Sequence, residues 1–144
     1  MMLGMLDRIN QLLDKPDCGK LILRLSFSIL VLFHGVHKLI AGVGGIQGML
    51  AAHGLPGFIA YGVFIGEVIA PVLMILGILT RPAALSFAFT MIVAFALAHP
   101  EAIFTLDKTG AWGIENVAVY FFAGIAIALL GSGKYSVMSN PRWR

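Results

Sequence analysis

The sequence predicts an all-α fold, an integral membrane four-helix bundle with both termini on the cytoplasmic side (N-in/C-in) and a short amphipathic interfacial helix at its N-terminus. Three observations predict it. Of 144 residues, 59% are hydrophobic and 12% charged, about half the charged share of a soluble domain, and the mean hydropathy is +0.93. Four stretches approach the roughly 20 apolar residues that cross a bilayer. Lysine and arginine fall almost entirely on one side of the topology those stretches define.

The first element is residues 1–16. Met2, Met5, Leu6, Ile9 and Leu13 recur at helical spacing, while Asp7, Arg8, Gln11, Asp14 and Lys15 occupy much of the other side. That pattern describes a helix lying in the membrane interface. It lacks the continuous apolar run of a signal peptide. Pro16 and Asp17 end it and open the first span.

The first span is Leu21 to Ala41, interrupted by Arg24, His34, His37 and Lys38. The second, Leu55 to Leu79, carries Glu67 as its single charge, and Pro71 inside it should kink the helix and free the carbonyl of Glu67. Pro82 to Ala98 forms the third, without charge, after a tight Thr80-Arg81-Pro82 turn. The fourth runs from about Trp112 to Gly131, with Glu115 near its start. Gly62-x-x-x-Gly66, Ala94-x-x-x-Ala98 and Gly124-x-x-x-Ala128 permit close helix approach. Residues 21–135 are thus the four-helix transmembrane domain, and 136–144 a cytoplasmic tail.

Arg8, Lys15, Lys20, Arg24, Arg81, Lys134, Arg142 and Arg144 fall on one side, and Lys38 and Lys108 on the other. The positive-inside rule places the larger set in the cytoplasm. Gly42 to Gly54 and His99 to Ala111 then face outward, long enough to fold over the bundle mouth. The net charge of +3 is dispersed and describes no nucleic-acid surface. A single cysteine, Cys18, excludes an internal disulfide and self-contained dithiol chemistry.

Ionisable groups in hydrocarbon cost several kcal/mol unless paired or hydrated. His34, His37 and Lys38 fall in the outer part of the first span, Glu67 near the middle of the second, His99 at the outer end of the third, and Glu115 and Asn116 at the outer start of the fourth. Arg24, His34 and Lys38 share a face about 80° wide, expected to point into the bundle. Two readings follow. In one, salt bridges fix helix packing, with Glu67–His34 and Lys38–Glu115 as natural pairs. In the other, a cavity open to the outside holds a polar or redox-active ligand. Glu67, His34 and Lys38 then carry the proton chemistry, and Arg24, His37, His99, Glu115 and Asn116 bind the ligand. A metal on His34 and His37, completed by His53 and His99, is a third option, but no cysteine or carboxylate motif supports it, and no metal is assigned.

From Leu23 to Tyr135 the chain resembles the DoxX family of small bacterial membrane proteins. The resemblance rests on Arg24, His34-Gly35-Val36-His37-Lys38, Gly54-Leu55-Pro56 and Gly66-Glu67. It continues through Leu76-Gly77-Ile78-Leu79-Thr80-Arg81-Pro82-Ala83, Glu115-Asn116 and Gly131-Ser132-Gly133-Lys134-Tyr135-Ser136. Such a resemblance implies four helices with both ends inside the bacterial inner membrane. Some members look like the small membrane subunit of a thiosulfate:quinone oxidoreductase, and others are linked to complexes that handle thiol or oxidative stress. A redox role carried over would place a quinone head group in the outer cluster, with Lys38 or His34 bonding its carbonyl oxygens. Electrons would come from a partner protein, since no haem, flavin or iron–sulfur motif is present. A non-enzymatic accessory protein and a small-solute transporter are the alternatives, and a homo-oligomer remains an open option.

Overall fold

The computed structural model describes residues 2–144, and side chains from residue 4 onward. Among these residues the chain is all-α, with six α-helices: α1 (Met2–Leu13), α2 (Pro16–Ala41), α3 (Gly44–Ala52), α4 (Ala70–Leu76), α5 (Thr80–Ala98) and α6 (Glu115–Leu130). A 3-10 segment (Gly57–Gly62) and a π-helical turn (Ile65–Ile69) lead into α4.

α1 leaves Met5, Leu6, Ile9, Leu12 and Leu13 exposed and packs against no other element among the described residues. Its apolar stripe, unmatched by protein, suits the interfacial placement expected for it. The side chain of Met2, counted in that stripe, lies outside the described ones.

α2 (26 residues), Gly57–Leu76 (20 residues) and α5 (19 residues) are each long and apolar enough to cross a membrane. α6 has 16 residues, about 24 Å of helix, shorter than the fourth span expected from hydropathy. Its start is displaced because Trp112 pairs with Leu106 in a single antiparallel bridge and the Gly113 N–H donates to the Thr105 carbonyl at 2.9 Å.

The second span runs unbroken and carries a π-turn just ahead of Pro71. Proline has no N–H, so Pro71 cannot satisfy the Glu67 carbonyl, and the preceding turn widens to i→i+5 bonding. The Ala70 N–H donates to the Ile65 carbonyl. The span ends at Leu76, three residues earlier than expected. Gly77, at φ +77°, caps it, and both Gly77 and Ile78 donate to the Leu73 carbonyl. Thr80, Arg81 and Pro82 therefore belong to the first turn of α5, where a proline is tolerated.

α2 packs against α4 and α6, α5 against α4 and most extensively against α6, which leaves α2 and α5 diagonal. The core is built from Val31, Met74, Ala84, Phe87 and Ile127, with Phe27 and Tyr120 edge-to-face at 5.6 Å. Two of the small-residue motifs deliver the expected close approach. A Cβ on Gly66 would overlap the Thr90 side chain, and one on Gly124 would lie 2.8 Å from Phe87 Cδ1. Nothing lies within 4 Å of Gly62.

Residues beyond α6 are not a free tail. They run as a strap across the end where α2 begins. The Val137 N–H donates to the Leu76 carbonyl at 3.0 Å, and the Leu79 N–H to the Trp143 carbonyl at 2.8 Å. Ser136 Oγ donates to the Gly77 carbonyl at 2.8 Å. At the opposite end, the mouth, α3 covers the bundle. Its segment was expected as a loop, but Leu50 packs with Val43 and Ala60, and with Phe64 and Leu97 around them.

Candidate functional site

The inward seam of α2 is Arg24, Ser28, Val31, Gly35 and Lys38. The first four are buried, and Lys38 is 27% exposed by its side chain. Successive spacings of four and three residues keep such a seam facing its neighbours. His34 flanks this seam and is exposed, as is His37. The expected inward face of Arg24, His34 and Lys38 is therefore corrected: Gly35 occupies the inward position near Glu67, and His34 turns outward.

Gly35 is where α2 meets the π-turn. A Cβ there would lie 2.7 Å from the Glu67 carbonyl carbon and 2.8 Å from Val68 Cγ2. The absence of a side chain lets the Glu67 carbonyl of the π-turn approach α2 closely. One turn beyond, Lys38 Nζ donates to Glu67 Oε2 at 2.5 Å. The Glu67 side chain is 8% exposed, so the carboxylate is held by the ammonium and largely shielded. Lys38 sits in the last turn of α2, where the helix dipole favours a cation.

Lys38–Glu67 is the single salt bridge among the described residues. It replaces both expected pairs, Glu67–His34 and Lys38–Glu115. Glu115, Asn116, His37 and His99 are exposed, so the structure assembles one buried ion pair and leaves these groups outside it. Among the described residues, no three His, Cys, Asp or Glu side chains come together in a metal-ligating arrangement.

Arg24 lies at the other end. It is 2% exposed and donates from Nη1 to the Ser132 carbonyl and from Nη2 to the Tyr135 carbonyl, both at 2.5 Å. These groups fasten the strap, so Arg24 is remote from the Lys38–Glu67 pair along α2. Arg81, not singled out from sequence, donates from Nη1 to the Ala128 and Leu129 carbonyls at 2.8 and 2.7 Å. A cation capping a helix C-terminus is a recognised arrangement, but its acceptors lie 47 and 48 positions downstream, so no local pattern announces it. Thr90 and Gly35 were missed as well, since neither carries charge.

In the turn between α5 and α6, Asp107 Oδ1 accepts from the Thr109 hydroxyl and from the Thr109 and Ala111 N–H groups. The Thr109 side chain, then these backbone donors, hold its carboxyl below the ordinary carboxylate range.

The DoxX family model matches residues 19–100. A protein of Escherichia coli (strain K12) named "Inner membrane protein YqjF" is 32% identical over 132 residues, covering 88% of this chain and 96% of that protein. A protein of Bacillus subtilis (strain 168) named "Putative oxidoreductase CatD" is 35% identical over 88 residues, covering 61% of this chain and 65% of that protein. The second match thus spans just under two thirds of the Bacillus protein. No solved structure matches.

Proposed function

This chain belongs to the DoxX family as a multi-pass protein of the bacterial inner membrane, and from that premise we propose that it is a redox-linked subunit acting with a partner protein. Its ligand is a quinone head group or a small sulfur compound, received at Lys38 and Glu67. One observation carries the reading: an ion pair lies between two membrane-spanning segments, with Glu67 8% and Lys38 27% exposed. A pair serving packing alone has no need of an accessible cation. Here the ammonium is reachable, so a ligand oxygen can take it from Glu67 and leave the carboxylate to accept a proton. His34, one turn before Lys38, and His37 are the proton-exchanging groups nearest along α2. The orientation proposed is N-in/C-in, with this pair toward the outer side. The name given to CatD supports oxidoreductase chemistry in the family.

The test is ligand-dependent stability of the purified chain in nanodiscs. A quinone analogue or thiosulfate should raise the Tm of the wild type, and Lys38→Met and Glu67→Gln should abolish the rise. If neither compound shifts the Tm, or if both variants lose stability while ligand response and cellular redox phenotype stay intact, the pair is a packing device.

A second reading, a small-solute transporter, is favoured by the π-turn of the second span. π-helical turns inside helices frequently mark functional sites, and Glu67 sits within this one. Uptake of solute into proteoliposomes without redox partner would establish it.

A further inference from the structure

We propose a lipid site distinct from the ion pair: the lateral groove between α2 and α6 holds one acyl chain of a phospholipid whose primary ammonium head binds Glu115.

α2 and α6 touch far less than α5 and α6 do. Between them lies an open cavity of about 580 Å³. Leu23 and Phe27 of α2 form one wall, and Val119 and Phe122 of α6 the other. On α6 the lining runs from Glu115 to Ala126, about 16 Å along the helix axis. That is roughly one leaflet's depth of hydrocarbon. Both helices belong to the apolar bundle, so the groove opens sideways onto acyl chains rather than onto water.

Any bilayer would fill an apolar groove, and its polar end decides which lipid does so. Glu115 is the one ionisable group lining the groove, and it joins no salt bridge among the described residues. Trp112, also at that end, donates its Nε1–H to the Ile103 carbonyl at 2.6 Å, so its N–H is already used. What these two residues offer a lipid head is a carboxylate acceptor. An anionic head is repelled there. A quaternary ammonium can approach but has no N–H to donate. A primary ammonium satisfies the carboxylate with charge-assisted hydrogen bonds. The groove therefore selects phosphatidylethanolamine over phosphatidylcholine and phosphatidylglycerol. Glu115 also lies in the first turn of α6, where a carboxylate is favoured by the helix dipole. That accounts for a stable acid at this position without specifying a ligand, so the groove and the occupied Trp112 donor carry the assignment.

Trp112 lines the groove and also the neighbouring apolar cavity between α5 and α6, so the groove's share of its quenching is the part that Ala126→Phe removes. The chain has two tryptophans, and Trp143→Phe leaves Trp112 alone. The full-length variant is reconstituted in phosphatidylcholine vesicles containing chain-brominated phosphatidylethanolamine or chain-brominated phosphatidylcholine, and quenching is compared at equal mole fraction. The expected preference for the brominated ethanolamine lipid is roughly two- to fivefold, the range given by an accessible ion pair of up to about 1 kcal/mol. Glu115→Gln should abolish the preference, and Ala126→Phe should reduce quenching by both lipids. Equal quenching by both lipids in the parent would leave only bulk lipid at this surface and overturn the proposal. A preference that survives Glu115→Gln would overturn it as well.

Discussion

Gly35→Ala tests the junction of α2 with the π-turn most directly. The added Cβ would lie 2.7 Å from the Glu67 carbonyl carbon and 2.8 Å from Val68 Cγ2. Carbon atoms pack at about 3.5–4.0 Å, so the two helices must separate by roughly 1 Å. The obstruction is backbone, which cannot rotate aside as a side-chain end can. Inserting a methyl into a packed core costs about 1–3 kcal/mol, and this site should fall toward the upper part of that range. The separation also pulls Lys38 away from Glu67, so ligand response should fall with stability. Gly19→Ala is the matched control: it lies in the same helix with nothing within 4 Å of its Cβ. It should stabilise by about 0.5–1 kcal/mol, as removal of a helix-interior glycine does. Unfolding titrations in mixed micelles read both. If Gly35→Ala and Gly19→Ala shift the midpoint in the same direction by similar amounts, the close approach at Glu67 is refuted.

Three further outcomes follow. In a double-mutant cycle, Lys38→Met and Glu67→Gln should each cost about 1–3 kcal/mol, below the ~3–5 of a fully buried pair because Lys38 is 27% exposed. The double variant should cost less than the two singles together, and strict additivity would remove the coupling. Arg24→Met should cost about 2–4 kcal/mol, having lost two hydrogen bonds from a charged donor, and should expose the strap to limited proteolysis. Arg24→Lys should rescue little, since an ammonium cannot fork to both carbonyls. The Thr109 and Ala111 donors hold the Asp107 carboxyl below the ordinary carboxylate range, so its contribution to the α5–α6 turn is complete above that range and is lost as pH falls through the depressed pKa. Amide exchange at Thr109 and Ala111 should stay protected from neutral pH down to that range and then accelerate. Acceleration beginning well above it would show that these bonds do not hold the turn.

Much of the bundle was legible because lipid permits few alternatives: long apolar stretches must be helices with their backbone bonds satisfied internally. α3 was not legible. Gly44, Gly45 and Gly48 lower its helix propensity, and burial of Leu50 against Val43 and Ala60 overrides that. The π-turn of the second span was half legible, since Pro71 locates the free carbonyl but the widening of the turn depends on what α2 presents there. The expected ion pairs, Glu67–His34 and Lys38–Glu115, gave way to Lys38–Glu67. His34 and Gly35 lie about 100° apart on the helix, so the expected face took the histidine and left out the glycine; the four–three spacing from Arg24 to Lys38 places the glycine inward instead. Arg24 was assigned to the ligand because a buried charge invites that reading. Its acceptors are backbone carbonyls of Ser132 and Tyr135, which no side-chain pattern announces.

The arginine that fastens the strap also orders events in time. Its two acceptors lie 108 and 111 positions downstream, so while the ribosome is still making the intervening helices, the first span enters the bilayer with its guanidinium unanswered. Until those carbonyls arrive, that charge must stay at the headgroup level with water as its company. The bundle can pack α2 fully only after α6 and the strap behind it are in place, so the last helix to be made locks the first long one.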